Sequence, residues 1–360
     1  MGIDAERRQL VSGWRDRRLI ERLGIEAPVV QAPMAGAIDE NMAIAVARGG
    51  GLGSIPCALL TPDIARDQIE RMRAAIDAPV NLNFFCHINP PRGEDGAWRA
   101  ALEPYYAEFG VGAPATPPPP RRPFDEAMCA LVEAVRPAMV SFHFGLPAEP
   151  LLERVRATGA LVTAAATSVA EARWLAERGV DAVIAQGWEA GGHSGRFLPA
   201  DPASYMGTFA LVPQVADAIG IPVIAAGGIA DARGIAAALL LGASAVQIGT
   251  AYLACPESLI SPLHRELLGS EAAETTVLTN VFTGRAARGI ANRLVRDQGP
   301  ISPDAPPFPY AAEALTELKR ADPANFGSLW AGQAARLSRV EGAEALTRRL
   351  AREALALLDG

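Results

Sequence analysis

Eight short, almost wholly apolar runs, helical patterns between nearly all of them, and 360 residues of chain together predict a (β/α)8 TIM barrel. The runs are "PVVQAP" (28–33), "LGSI" (52–55), "PVNLNFF" (79–85), "AMVSFHF" (138–144), "ALVTAAA" (160–166), "DAVIAQ" (181–186), "IPVIAA" (221–226) and "ASAVQIG" (243–249). Continuous apolarity marks strands buried on both faces, as in a parallel sheet covered by helices. Eight such strands close a barrel; a doubly wound open sheet is the competing arrangement.

Each element has a local reason. "GGGLGS" (49–54) precedes the second strand and caps a helix on the face away from the active site, so it is not a dinucleotide fingerprint. Residues 61–77 begin with a Thr cap and a proline at the first helical position. Residues 167–179 begin with Thr or Ser and end in glycine. Two segments break the repeat. Residues 88–123 form a Pro-rich insertion after the third strand, and its four consecutive prolines exclude a helix interior there. Beyond about residue 275 comes an extension ending in a helix with Leu346, Leu350 and Leu357 on one stripe. The barrel is therefore expected over residues 1–275, insertion included. A helical extension over 276–360 packs on it and is placed to cover the active site.

Composition narrows the function classes. A net charge of -7 and a pI near 5.3 argue against nucleic acid or an anionic membrane as partner. Cys57, Cys86, Cys129 and Cys255 are far apart and form no CxxC, so neither a metal site nor a disulfide framework is expected. The N-terminus lacks an apolar core segment, which leaves the cytoplasm as the expected compartment. A homodimer is left open.

The chemistry is expected at the loops after the last two strands, where barrels bind phosphate. "AAGGIADARG" (225–234) and "QIGTAYLA" (247–254) both offer glycine where backbone N–H groups must approach an anion, each followed by a helix N-terminus. The second signal is "AQGWEAGGHSGRF" (185–197), which sets one of only four histidines between glycines just after a strand. Bare backbone on both sides would leave room for a planar ring and a small substrate beside the His193 imidazole.

Taken in order, "QAPMAG", "NLNFFCH", "SFHFG", "AQGWEAGGHSGRF", "PVIAAGGIADARGI", "GASAVQIGTAYLACPES" and "TGRAARGIANR" resemble the nitronate monooxygenase family, in particular its class I members. The resemblance spans roughly residues 25–295, with a further "WAGQ" at 330–333. It implies an FMN-containing barrel that oxidises alkyl nitronates such as propionate 3-nitronate with O2, giving a carbonyl compound and nitrite. It further implies that Asn83 meets the polar edge of the flavin and that Gln186 and Gly191 lie beside its ring. Gly228, Gln247, Ile248, Gly249 and Thr250 would hold the ribityl phosphate, and His193 would be the catalytic residue. Neutral, His193 takes a proton; protonated, it steadies an anion.

Met34, His87 and His143 are candidates for lining the substrate pocket, each with a packing role as the alternative. His264 is expected on an outer helix in solvent. Arg285, Arg288 and Arg293 would either complement an anion or pin the extension to the barrel. The runner-up function is an NAD(P)H-dependent FMN reductase acting on quinones or enoyl thioesters. A barrel like inosine monophosphate dehydrogenase is disfavoured because no cysteine follows the sixth strand.

Overall fold

In the computed structural model, which describes residues 11–113, 121–199, 201 and 204–359, the eight apolar runs become eight parallel strands closed into a (β/α)8 barrel. The eight are β1 (Val29–Gln31), β2 (Gly53–Pro56), β3 (Val80–Phe85), β4 (Met139–His143), β5 (Leu161–Ala166), β6 (Ala182–Gln186), then β8 (Val223–Ala226) and β9 (Ala245–Ile248), which returns to β1. Between β1 and β2 the ring closes through Gln31 N–H to Leu52 O and Leu52 N–H to Val29 O, both 2.9 Å. Nearly every strand residue is buried, as a sheet covered inside and outside requires.

The caps read from the sequence form. Thr61 Oγ1 accepts from Ile64 N–H, ahead of the helix Pro62–Ala75, and Ser168 Oγ accepts from Glu171 N–H, ahead of the helix Val169–Glu177. Gly49 ends the helix Glu40–Arg48.

The two departures from the repeat meet each other. Most of the insertion is described, although its four prolines, residues 117–120, lie outside the described residues. It contains a helix, Gly96–Phe109, that its proline content hid. Trp98, Leu102, Tyr105 and Tyr106 of that helix share a small core with Phe282, Leu294, Leu315, Leu318 and Phe326 of the C-terminal region. Trp98 Nε1 donates to Ala311 O at 3.2 Å, and Arg293 makes two bonds of 2.7 Å to Glu108.

The last helix, Ala343–Asp359, behaves differently from this layer. Leu346 and Leu350 are buried in the barrel's own core together with Ala351 and Ala354. Thr347 Oγ1 bonds Tyr252 Oη at 2.7 Å, and a Cβ at Gly49 would lie 2.6 Å from Thr347 Cβ. The bare glycines at 49–51 thus let this helix close the outer ring. Leu357 is 53% exposed and stands off the buried stripe, whereas Leu358 packs against the core.

A second, small sheet lies at the mouth of the barrel. β7 (Gly192–His193) pairs antiparallel with β11 (Ala287–Ile290), which pairs with β10 (Thr276–Thr279). No helix among the described residues is long and apolar enough to cross a membrane.

Candidate active site

At the C-terminal ends of the barrel strands lies a cavity of about 520 Å³, within the range of small-molecule sites. Met34, Asn83, His143, Gln186, Gly191, His193, Gly228, Gln247, Gly249 and Thr250 all line it. The strands place them there: Asn83 lies in the second half of β3, His143 closes β4, Gln186 ends β6, and Gln247 lies in β9.

His193 is held from two sides. Its carbonyl accepts from His143 Nε2 at 3.2 Å and from Gln186 Nε2 at 3.1 Å. Its backbone pairs with Ala287 across the small sheet, and Ser194 N–H donates to Ala286 O at 2.9 Å. The imidazole Nε2 bonds Thr283 Oγ1 at 3.0 Å. Around the ring stand Phe308, Trp330, Phe144 and Phe85, with centroids 5.4, 5.5, 6.0 and 6.3 Å away. Phe144 sits at φ 71, a strained value for a non-glycine residue and one that recurs at functional sites.

The electrostatics are one-sided. Burial lowers the His193 pKa well below its ordinary value, and Arg121, His143, Arg285 and His87 push in the same direction. His143 is lowered to about 4 by burial and by Arg285, against the His193 carbonyl it bonds. Both rings are neutral at pH 7. Arg121 lines the cavity, and the Arg285 guanidinium lies 3.9 Å from the centre of the Phe144 ring. Neither has a carboxylate at ion-pair distance among the described residues, and burial holds Arg285 down at about 10.

Other residues singled out in the sequence are engaged by the protein itself. Ile248 does not line the cavity: its side chain is buried in the barrel core, and its carbonyl bonds Ala32 N–H at 2.8 Å. The Gln186 amide is engaged at both ends, donating to His193 O and accepting from Gly195 N–H at 2.6 Å, so it positions the histidine loop. Gly191 is bare for packing, since a Cβ there would meet Gly332 N at 2.6 Å and Ala331 C at 2.7 Å. His87 lies behind the cavity wall, Nε2 bonded to Arg121 O at 3.1 Å, because Phe85 and Phe308 stand against its ring. His264 is buried, not solvated; Nε2 bonds Trp330 O at 3.1 Å and the ring lines the cavity. Arg288 and Arg293 pin segments: Arg288 to Trp188 O and Thr276 O at 2.9 Å each, Arg293 to Glu108. The helix after β8 already has a side-chain cap, as Asp231 accepts from Arg233 and Gly234 N–H. An anion at that loop would be left the glycine backbone.

The residues that remain suit a flavin. Gly227 and Gly228 have φ 105 and 71, left-handed values that turn the backbone at the cavity wall. The short helix Thr250–Leu253 starts with no side-chain cap. Gln247 Oε1 is buried without a hydrogen-bond partner among the described residues, an acceptor awaiting an N–H donor. Met34, Ala165, Ile184 and Ala226 supply apolar lining for a flat ring.

The nitronate monooxygenase family profile matches residues 16–353 of this chain. The chain belongs to the nitronate monooxygenase family. It is 42% identical to a nitronate monooxygenase of Paraburkholderia phytofirmans over 94% of both chains. It is 42% identical to one of Pseudomonas aeruginosa over 93% of this chain and 98% of that one. Among solved structures, nitroalkane oxidase from Streptomyces ansochromogenes superposes with TM-score 0.85 at 36% identity, covering 95% of this chain and 99% of that one. FabK from Thermotoga maritima superposes with TM-score 0.70 at 27% identity, covering 96% and 97%. Membership of this family of oxidoreductases implies a flavin cofactor.

Sequence reasoning missed Thr283, Arg121 and Trp330 as neighbours of the site. Thr283 and Trp330 stand in motifs that were noticed, "TGRAARGIANR" and "WAGQ", but nothing in their spacing says they return to the barrel mouth.

Proposed function

We propose that this chain oxidises alkyl nitronates, such as propionate 3-nitronate, with O2 and a non-covalently bound FMN, giving a carbonyl compound and nitrite. The observation that carries the reading is the placement of His193. Neutral and half-buried, it opens onto the same cavity as the glycine cradle of the two phosphate-type loops. Those loops suit one phosphate, which favours FMN over a dinucleotide. When bound, the flavin supplies the redox chemistry, taking electrons from the nitronate and passing them to O2.

The protein's own residues do the rest. Gln247 offers its amide to a polar ring edge, and Asn83, whose Nδ2 donates to Ser141 O and Oγ, offers its amide oxygen. Arg121 and Arg285, half-buried without carboxylate partners, favour a bound anion over water in the site. The aromatic wall of Phe85, Phe144, Phe308 and Trp330 excludes water from the histidine. His193, lacking a proton at one ring nitrogen, can hold the α-proton of a neutral nitroalkane.

The test is direct. The purified protein should be yellow, release FMN on acid precipitation, and bleach anaerobically with a nitronate but not with NADPH. Release of FAD, or bleaching by NADPH alone, would overturn the proposal.

A further inference from the structure

Only one side chain among the described residues is bonded to the His193 ring: Thr283, which is buried and 3.0 Å from Nε2. The same hydroxyl donates to Arg285 O at 3.3 Å. A threonine hydroxyl has a single proton to donate. With that proton on Arg285 O, it offers Nε2 only lone pairs. The other ring nitrogen, Nδ1, makes no hydrogen bond to the described residues, and the ring it belongs to lines the cavity.

We propose that Thr283 is a positioning residue that fixes the tautomer of His193, placing the imidazole proton on Nε2 and turning the bare Nδ1 lone pair toward the substrate. The backbone of His193 is located without Thr283, by His143, Gln186 and the strand pairing with Ala287. Thr283 is therefore free to choose the proton without setting the loop. The ring is neutral at pH 7 because burial, with Arg121, His143, Arg285 and His87, opposes its charge, so the choice between two tautomers is real.

The consequence for chemistry rests on the function proposed above. A neutral nitroalkane in the cavity gives its α-proton to Nδ1. The C–H bond breaks, its electron pair becomes the C=N bond of the nitronate, and the nitro oxygens take the negative charge. The imidazolium so formed keeps its Nε2–H bond to Thr283, so no second proton moves. Arg121, whose side chain lines the same cavity, is the cation that faces the new anion. With the opposite tautomer, Nδ1 would present a proton and accept none.

The experiment uses full-length protein as purified with its flavin, labelled with 15N-histidine. Four histidines keep the spectrum simple, and His193→Asn assigns the signal. In wild type, Nδ1 should resonate as unprotonated and Nε2 as protonated. Thr283→Ser should keep this pattern, and Thr283→Val should shift it toward the Nδ1-protonated form. A protonated Nδ1 in wild type, or an unchanged pattern in Thr283→Val, overturns the inference, whatever substrate the protein uses.

Kinetics give the second reading. Thr283→Val should lower kcat on a neutral nitroalkane roughly tenfold to a hundredfold, the size of one lost buried hydrogen bond, and leave preformed nitronate far less affected. Thr283→Ser should restore it. Equal losses on both substrate forms at full flavin content would mean that Thr283 serves only the fold.

Discussion

Two glycine-rich loops stand side by side at the mouth of the barrel, and their glycines serve opposite ends. In the loop after β6, the space a side chain would take at Gly191 is filled by the backbone of residues 331–332, and that at Gly195 by Ala165 and His143. Bareness there lets the chain pack on itself and hold His193. In the loop after β8, Gly227 and Gly228 are left-handed and line the cavity; a Cβ at Gly228 would meet only the Glu189 side chain, at 3.3 Å. Bareness there permits the left-handed turn that carries backbone along the cavity wall. Glycine content alone marks a loop as special without saying whether the chain or a ligand occupies the gap.

Substitutions in the two loops should therefore fail differently. Gly228→Val should cause the largest loss, because φ strain of about 1–3 kcal/mol adds to a lost anion contact of roughly 1.5–3 kcal/mol. Flavin affinity should fall a hundredfold or more while the flavin-free protein melts near the wild-type temperature. Stoichiometric flavin in this variant would move the phosphate site elsewhere. Gly191→Ala should instead destabilise the fold by about 1–3 kcal/mol, as overpacking against backbone does, read as a lower denaturant midpoint. A variant that kept its midpoint but lost flavin would reverse the roles assigned to the loops.

Acid sharpens the contrast further. His143 props the first loop and is lowered to about 4 by burial and Arg285. Its unfolded form takes up a proton below about 6.5 while the folded form does not, so stability falls with pH from there down to about 4. Between pH 7 and pH 5 this single group should remove roughly 2 kcal/mol. In the second loop, Asp231 is held below its ordinary value by Arg233 and the helix N–H groups, against a burial penalty, so nothing there titrates in this range. Chemical denaturation at the two pH values, repeated with His143→Asn, measures the difference.

The barrel was legible because its strands are buried on both faces, and continuous apolar runs announce that state directly. The helix Gly96–Phe109 was not, since its glycine and Pro104 obscure a pattern that only the distant core of Phe282 and Phe326 completes. The same holds for the site. His193, Gly228 and Gln247 stand at strand ends, where sequence order fixes their position. Thr283 and Trp330 reach the His193 ring through β11 pairing with β7 and through the Gly289–Trp330 bridge, contacts whose partners lie about 90 or more residues away from the loop they complete. Local pattern carries no trace of such distances.

The central claim is that His193 acts on substrate in this cavity. It is tested most directly by comparing wild type with His193→Ala at equal flavin content, on a neutral nitroalkane and on its preformed nitronate. General-base assistance is worth about 10²–10⁴-fold, and a nitronate arrives already deprotonated. The account predicts a loss of that order on the nitroalkane, and on the nitronate mainly a raised KM. A variant that matches wild type in flavin content and in kcat and KM on both forms would contradict it.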